Sequence, residues 1–142
     1  MLRRMLGGVV LTLTVLGLVA APAVAQAPSL DLELNKVEAS DEGCQFHLLI
    51  RNKIGSDIEV LGVNLVFFDA NGVMANRTIV TLGKVKSNKT LFRSFVFPEL
   101  QCSDVSRVLV NELTQCQLAG ESQIDCLDVM QVSSRAEIDF FK

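Results

Sequence analysis

The sequence predicts an all-β protein, an antiparallel β-sandwich of about seven short strands. Apolar and polar residues alternate over short stretches, and turns rich in Gly, Asn, Asp and Ser separate these stretches. The clearest case is 61–82, a predicted β-hairpin, where Leu61, Val63, Leu65 and Phe67 occupy alternate positions and Phe67 is expected in the core. Because no long window shows the helical period, strands explain the pattern best.

A tight turn is predicted to close this hairpin at 69–72, Asp-Ala-Asn-Gly. Asn71 and Gly72 tolerate the positive φ that hairpin turns require, and the β-branched residues at 78–81 favour a returning strand. The same turn resembles the start of a calcium loop, but Val73 and the residues after it offer no further oxygen ligands. A turn without calcium is therefore the prediction.

The other predicted strands are recognised by alternation and by β-branched or aromatic content. They cover 30–34, 44–52, 90–97, 105–113 and 136–141. In the last of them, Ile138 and Phe140 are expected to face inward. Pro98 is expected to end the fifth strand, because proline cannot donate a hydrogen bond into a ladder.

Two connecting segments carry the less regular part of the pattern. A polar turn is predicted at 38–43, and the segment 114–134 is interpreted as a long loop. Within that loop, 124–131 is also compatible with a helix.

Residues 1–25 are predicted to be a cleaved signal peptide, so the mature domain is 26–142. Two arginines open the leader, an apolar run follows, and Ala23-Val24-Ala25 is a small-x-small cleavage signal. The alternative is an uncleaved membrane anchor, for which the apolar run is short. The residues beside the arginine pair, Leu2 and Met5, differ from those of a twin-arginine signal. The expected disulfides would not form in the reducing cytosol, which favours export of the unfolded chain. The expected compartment is the periplasm or the exterior.

Composition limits the classes of partner. Removal of the leader from the 142 residues leaves 117, enough for one domain with its own core. Without Arg3 and Arg4, the 13 basic residues fall to 11 against 16 acidic ones, a formal charge of −5. Neither nucleic acid nor an anionic membrane surface is therefore an expected partner, and no membrane span is expected after processing. The absence of Trp and Tyr makes sugar-binding and single-strand-binding surfaces less expected.

Two motifs in the middle of the chain carry a resemblance to a known domain type. One is the aromatic-Asp-x-x-Gly turn at 67–72, and the other is the polar turn at 84–90 that opens a further strand. With the strands around them, from Phe46 through Phe97, they resemble the FxLyD-type immunoglobulin-like domains of secreted bacterial proteins. The resemblance implies an immunoglobulin-like sandwich in an exported protein.

A second resemblance extends over the mature chain. The residues that carry it are Leu34-Asn35-Lys36, Gly43-Cys44, Phe68-Asp69, Arg107 to Asn111, Cys116, Cys126-Leu127 and Ser133-Ser134-Arg135. In these positions the chain is similar to a family of small, uncharacterised exported proteins of proteobacteria, sometimes labelled by a twin-arginine signal. That resemblance implies a fold and a compartment, and it implies no activity.

Four cysteines remain in the mature chain, and an even number in an exported protein predicts two disulfides. The second and fifth strands of an immunoglobulin-like sandwich are antiparallel neighbours. Cys44, at the start of one, should therefore meet Cys102, just beyond the end of the other. Cys116 and Cys126 would then form a local bridge. The alternative is a four-thiolate zinc site, for which the usual C-x-x-C spacing is missing.

His47 is the only histidine and has two possible roles. As a base for a nucleophile it would need a Ser or Cys on one side and a carboxylate on the other. The alternation of the second strand places it on the outer face, so a solvated strand residue is predicted and no catalytic residue is assigned. Glu121, Asp125 and Asp128 form a possible carboxylate group, which we interpret as solvated loop residues.

The sequence therefore predicts a non-enzymatic exported module that binds another envelope protein through its loops. The loop 114–134 is the expected interaction site, with Glu121, Gln123 and Arg135 as exposed contacts. No cofactor and no metal are expected. The alternative is a small-ligand-binding protein or an enzyme of unknown reaction. A deep apolar pocket with converging polar groups would favour that alternative, whereas a flat apolar patch near the loop would favour protein binding.

Overall fold

The computed structural model describes residues 25–120 and 124–142, so residues 1–24 of the predicted leader lie outside the described residues. The described chain contains eight strands and one short 3-10 turn, which confirms the predicted all-β class. The strands are β1 (Leu30–Ser40), β2 (Gly43–Asn52), β3 (Ile58–Phe68), β4 (Met74–Thr81), β5 (Lys89–Phe97), β6 (Arg107–Leu118), β7 (Met130–Ser134) and β8 (Asp139–Phe141), and the 3-10 turn is Cys102–Asp104.

The strands form a sandwich of two four-stranded sheets. The first sheet has the order β5-β2-β1-β7, and the second has the order β4-β3-β6-β8. The predicted sandwich is confirmed, with two corrections: one more strand than predicted is present, and not every pairing is antiparallel. β7 pairs in parallel with β1, and β8 pairs in parallel with β6. Both exceptions join strands that are far apart in the chain, a pairing that local patterns do not report.

Phe67 lies in the centre of the core, where the two sheets meet. Its side chain is fully buried, and its ring centroid lies 5.4 Å from that of Phe46 and 5.1 Å from that of Phe97. Edge-on and tilted contacts of this kind add to the stabilisation from burial. The core position of Phe67 is confirmed, and Ile138 and Phe140 are buried as predicted.

The β3–β4 hairpin closes through the predicted turn. Oδ1 of Asp69 accepts hydrogen bonds from the backbone N–H groups of Asn71 at 2.9 Å and Val73 at 2.8 Å. Gly72 has φ of 77°, whereas Asn71 does not need a positive φ. The Asp69 carboxylate therefore organises the backbone of the turn, as aspartate does in an Asx turn.

β1 is longer than predicted and contains a β-bulge. It continues to Ser40, so the turn predicted at 38–43 is reduced to two residues between β1 and β2. In the register, Leu34 is opposite Leu48 and Lys36 is opposite His47, which leaves Asn35 without a partner. A bulge adds one residue and shifts the alternation of side chains.

The long loop predicted at 114–134 is wrong at both ends. β6 continues to Leu118, and β7 occupies Met130–Ser134. The possible helix at 124–131 is also wrong, because 126–129 are turn residues before β7 begins. The polar side chains of β7 obscure its strand character in the sequence, since they face the outer surface of the first sheet.

Two disulfides join the four cysteines in the predicted pairing. Cys44 is bonded to Cys102, and Cys116 is bonded to Cys126, with Cα–Cα distances of 5.0 and 6.4 Å. Cys44 lies opposite Phe97 in the β2–β5 ladder, so the chain after β5 returns directly to it. All four sulfurs are used in these bonds, which excludes the four-thiolate zinc site.

Candidate functional site

Arg135 is the one predicted contact residue in the described part of the chain, since Glu121 and Gln123 lie outside it. Arg135 follows β7 directly. Its backbone N–H donates to the carbonyl oxygen of Leu34 on β1 at 2.8 Å. This hydrogen bond holds Arg135 beside the bulge of β1, at the edge of the first sheet, and not on a long loop.

Glu33, on β1, is a buried carboxylate to which the Arg135 side chain is attached. Glu33 is only 5% exposed. Its Oε1 accepts hydrogen bonds from Nδ2 of Asn35 at 2.9 Å and from Nε of Arg135 at 3.1 Å. Its Oε2 accepts one from Nη2 of Arg51 at 3.0 Å. Because both oxygens are paired, the cost of removing this charge from water is offset, and the arginine side chains are held in place.

The hydrogen bond from Asn35 is the main cause that lowers the pKa of Glu33 below its ordinary value of 4.5. Burial acts in the opposite direction, and the hydrogen bond and positive charge of Arg51, with the charge of Arg135, add to the lowering. Glu33 is therefore ionised at neutral pH and remains a permanent anchor for Arg135.

A cleft of about 610 Å³ opens beside Arg135 at this end of the sandwich. Its walls come from the bulge of β1, from the segment around the Cys44–Cys102 bridge and from the residues after β7. The lining residues are Asn35, Lys36, Val37, Cys102, Ser103, Val105, Arg135, Ala136, Glu137 and Ile138. The side chain of Arg135 is 72% exposed, so its guanidinium is both anchored on Glu33 and accessible to a partner.

A second polar cluster lies on the outer face of the first sheet. Glu38 on β1, His47 on β2 and Ser94 on β5 form a hydrogen-bonded row there. His47 Nε2 lies 2.7 Å from Oε1 of Glu38, and His47 Nδ1 lies 2.7 Å from Oγ of Ser94. In the neutral imidazole, Nε2–H donates to the carboxylate and Nδ1 is left to accept from the hydroxyl. These are the partners that a histidine needs to activate a serine.

The row lies on an open sheet face, where Ser94 and Phe92 are exposed and His47 is largely covered. The ring of Phe92 stacks on the imidazole of His47 with centroids 5.6 Å apart, and Phe92 remains 53% exposed. The pKa of Glu38 is lowered first by the hydrogen bond from Lys36 and then by the one from His47. Ser94 is exposed and lies outside the cleft beside Arg135. His47 lies on the outer face as predicted, but the predicted solvated side chain is wrong, because it is only 14% exposed and both ring nitrogens have partners that the sequence did not reveal.

The other predicted candidates do not come together at a site. Oδ1 of Asp125 accepts from the backbone N–H of Leu127 at 2.8 Å, which assigns Asp125 to the turn before β7. Within 25–120 and 124–142, no group of three or more His, Cys, Asp or Glu residues is arranged to hold a metal ion. No helix in those ranges is long and apolar enough to cross a membrane.

Exposed apolar side chains are not concentrated at the predicted loop. Large apolar residues that stay exposed in the described chain are Val73, Met74, Ile79, Phe92 and Leu127. Only Leu127 belongs to 114–134, so a flat apolar patch, which would have favoured protein binding there, is not observed in the described part of that loop. A depression of about 370 Å³ lies at the described part of that loop, beside the Cys116–Cys126 bond, and it is smaller than the cleft beside Arg135.

The sequence missed Glu33, Asn35 and Arg51 as members of the site. Glu33 alternates with leucines in β1, a pattern that usually marks a wet face. The only sign of this site in the sequence was that Glu33 and Arg51, which are opposite in charge, lie on the two strands of the predicted β1–β2 hairpin. Arg135 joins them from 102 positions away along the chain, which no local pattern reports.

Comparison with known proteins does not assign the chain to a family. No model of a protein family matches the chain, and no curated protein matches it. A similar solved structure is that of a DUF1425 family member from Shewanella sp. pv-4, with a TM-score of 0.41 and 14% sequence identity, over 68% of this chain and 80% of that one. The resemblances to FxLyD-type domains and to the twin-arginine-labelled family stay predictions.

Proposed function

We propose that the protein is a non-enzymatic exported module that binds another envelope protein through the cleft beside Arg135. The observation that carries this proposal is the arginine itself, exposed at the cleft and anchored on the buried carboxylate of Glu33. An anchored arginine loses little conformational entropy when it binds, and arginine is enriched among the residues that dominate protein interfaces. The two disulfides support an oxidising compartment for this interaction.

The cleft favours a partner segment that carries a carboxylate beside apolar side chains. Arg135 offers the guanidinium, and the apolar part of the wall comes from Val37, Val105 and Ile138. Lys36, on the same wall, is already paired with Glu38. Glu137 repels a carboxylate, so the partner's acid is expected on the Arg135 side of the cleft.

Site-specific photo-cross-linking in the envelope tests this proposal. A photoreactive side chain at Ser103, an exposed residue of the cleft, should capture a protein, and capture should fall when Arg135→Ala is added. The same side chain at Lys86, in the turn before β5 at the opposite end of the sandwich, is the matched control. Equal capture from both positions, or capture at Ser103 that does not fall when Arg135→Ala is added, would refute the cleft as the binding site.

A second candidate function is acyl transfer at Ser94, and the Glu38–His47–Ser94 row favours it. In this reaction Oγ of Ser94 attacks an ester carbonyl while Nδ1 of His47 takes the hydroxyl proton. The alcohol then leaves with that proton, and water hydrolyses the acyl-serine. Ser94 is exposed on the sheet face, whereas most esterases enclose their serine in a pocket, so the binding function has the stronger support.

Labelling with a fluorophosphonate tests the second candidate. A hydrolase predicts one label per chain, on Ser94, that is lost in His47→Ala and strongly reduced in Glu38→Gln. Labelling that is absent, or that persists in His47→Ala, would leave the row as a structural network of the sheet face.

A further inference from the structure

β4 is an open edge of the second sheet, since β3 is its only neighbour among the described strands of that sheet. Its residues are mostly exposed, and Arg77 is the only charged residue among them. The strand contains no proline, and Thr78, Ile79, Val80 and Thr81 are all β-branched. Natural proteins usually protect such edges, because unpaired N–H and C=O groups readily accept another strand.

The other three sheet edges are short or protected. β7 and β8 have only five and three residues. β5 is longer, but Arg93 lies on its inner face, opposite the buried Leu48, and Nε of Arg93 donates to the carbonyl oxygen of Leu82 at 3.1 Å. An inward-pointing charge of this kind opposes the addition of another strand. Among the described strands, β4 is therefore the edge best suited to pair with a further strand.

The hydrogen bonds of the β3–β4 hairpin show which backbone groups of β4 are already used. The N–H of Leu61, on β3, donates to the carbonyl oxygen of Gly83, and the carbonyl oxygen of Leu61 accepts from the N–H of Leu82. Backbone groups alternate in direction along a strand, so Val63 is bonded to its register partner Val80 in the same way. The N–H and C=O groups of Val80 therefore point toward β3.

The same alternation identifies the backbone groups that face the open edge. They belong to Arg77, Ile79 and Thr81, whose N–H and C=O groups point away from β3. Nearer the turn, the register shift leaves Ala75 without a partner on β3, so the regular part of the edge begins at Asn76. Three residues in regular register thus offer donors and acceptors to a further strand.

We infer that β4 pairs with β4 of a second copy of this chain, antiparallel and across a two-fold axis at Ile79. In this register Ile79 faces Ile79 of the second copy, and Arg77 faces Thr81, so all three edge residues exchange backbone hydrogen bonds. Ile79 is 60% exposed in the single chain. Pairing covers it with an identical β-branched side chain, a contact that stabilises neighbouring strands.

Charge and the bulge together select this register. A pairing of Arg77 with Arg77 would place two like charges directly opposite each other, which is destabilising. A pairing of Arg77 with Ile79 would place the bulged residue Ala75 opposite Thr81. The axis at Ile79 avoids both, so the edge is complementary to itself. Pairing over 77–81 alone buries less than the roughly 1,600 Å² of a standard interface, so we expect a reversible dimer.

This inference goes beyond the proposed function, because β4 lies in the other sheet and Arg135 takes no part in the pairing. Sedimentation equilibrium of the folded, disulfide-bonded mature protein should show a reversible monomer–dimer equilibrium. Ile79→Lys and Ile79→Glu should each weaken dimerisation by at least about tenfold, since each places two like charges opposite each other at the axis. An equimolar mixture of the two variants should restore the dimer, because a lysine then faces a glutamate.

Leu127→Lys, which removes an exposed apolar side chain outside β4, is the matched control and should dimerise as the wild type does. Amide hydrogen exchange locates the contact, since the N–H groups of Arg77, Ile79 and Thr81 should be protected only at concentrations where the dimer forms. A wild type that stays monomeric up to about 1 mM would overturn the inference and leave the edge to a strand of another protein. A mixture that does not dimerise, or an equal loss in Leu127→Lys, would also overturn it.

Discussion

Nε of Arg135 lies 3.1 Å from Oε1 of Glu33, although the two residues are 102 positions apart in the chain. The contact exists because β7 pairs in parallel with β1, which places Ser133 opposite Glu33. The buried carboxylate thus joins the last part of the chain to the first sheet. It also holds an exposed guanidinium in a fixed position at the cleft, which is the physical basis of the proposed function.

Glu33→Gln should reduce stability and change its dependence on pH. The carboxylate has a lowered pKa in the folded state, so it stabilises the fold above its ordinary pKa of 4.5. That contribution is lost as the pH falls through the lowered folded pKa. Urea unfolding should show a loss of about 1–3 kcal/mol for the variant at neutral pH.

The same experiment has an internal control in its pH profile. As the pH falls from the ordinary value of 4.5 through the lowered folded pKa, the wild type should lose stability more steeply than Glu33→Gln, and the two curves should converge below it. Glu99→Gln, a change to an exposed acid, should follow the wild-type profile. Parallel profiles for wild type and Glu33→Gln would show that the buried carboxylate contributes nothing to the pH dependence.

Phe67→Ala should cost about 3–5 kcal/mol, the usual range for a buried aromatic side chain. The substitution removes the ring that packs against Phe46 and Phe97 between the two sheets. Phe92→Ala is the matched control, since that ring is 53% exposed and should cost about 1 kcal/mol or less. A loss below about 1 kcal/mol for Phe67→Ala, measured by urea unfolding, would mean that the core is assigned to the wrong face.

Removal of the two disulfides should have unequal effects. The Cys44–Cys102 bond spans 58 positions and the Cys116–Cys126 bond spans 10. By the loop-entropy model, replacing the first pair by alanine should cost about 4 kcal/mol and replacing the second about 3 kcal/mol. Thermal unfolding of the two double variants measures the difference. A larger loss from the short bridge would contradict the loop-entropy account.

Export should remove the leader. If cleavage follows Ala25, N-terminal sequencing of the exported protein should begin at Gln26, free or cyclised. A mature protein that retains Met1 would contradict the predicted signal peptide.

Local chemistry was enough to predict much of the sandwich. The Asp69–Gly72 turn, the burial of Phe67 and the Cys44–Cys102 bond follow from turn residues, alternation and strand order. The resemblance to immunoglobulin-like domains supported the same arrangement. β7 escaped prediction because its polar side chains belong to an outer face, and its strand character comes from pairing with β1.

The site was harder to predict because its contacts are not local. The bulge at Asn35 shifts the register by one residue, so the alternation at 30–34 does not determine which side chains meet beyond it. The row from Glu38 through His47 to Ser94 depends on that register, and on a third strand 47 positions away from the histidine. Arg135 was predicted as an exposed contact, but its anchor on Glu33 was not.

Affinity for the partner segment captured at Ser103 tests the central claim most directly. Arg135→Ala should bind the corresponding synthetic peptide at least about tenfold more weakly, and Arg135→Lys should recover only part of the affinity. Replacing the peptide's carboxylate by an amide should cause a similar loss in the wild type and little further loss in Arg135→Ala, because both changes remove the same ion pair. Lys86→Ala should bind as the wild type does. Full affinity in Arg135→Ala, or equal losses for the amide peptide in wild type and variant, would contradict the claim that Arg135 binds the partner's carboxylate.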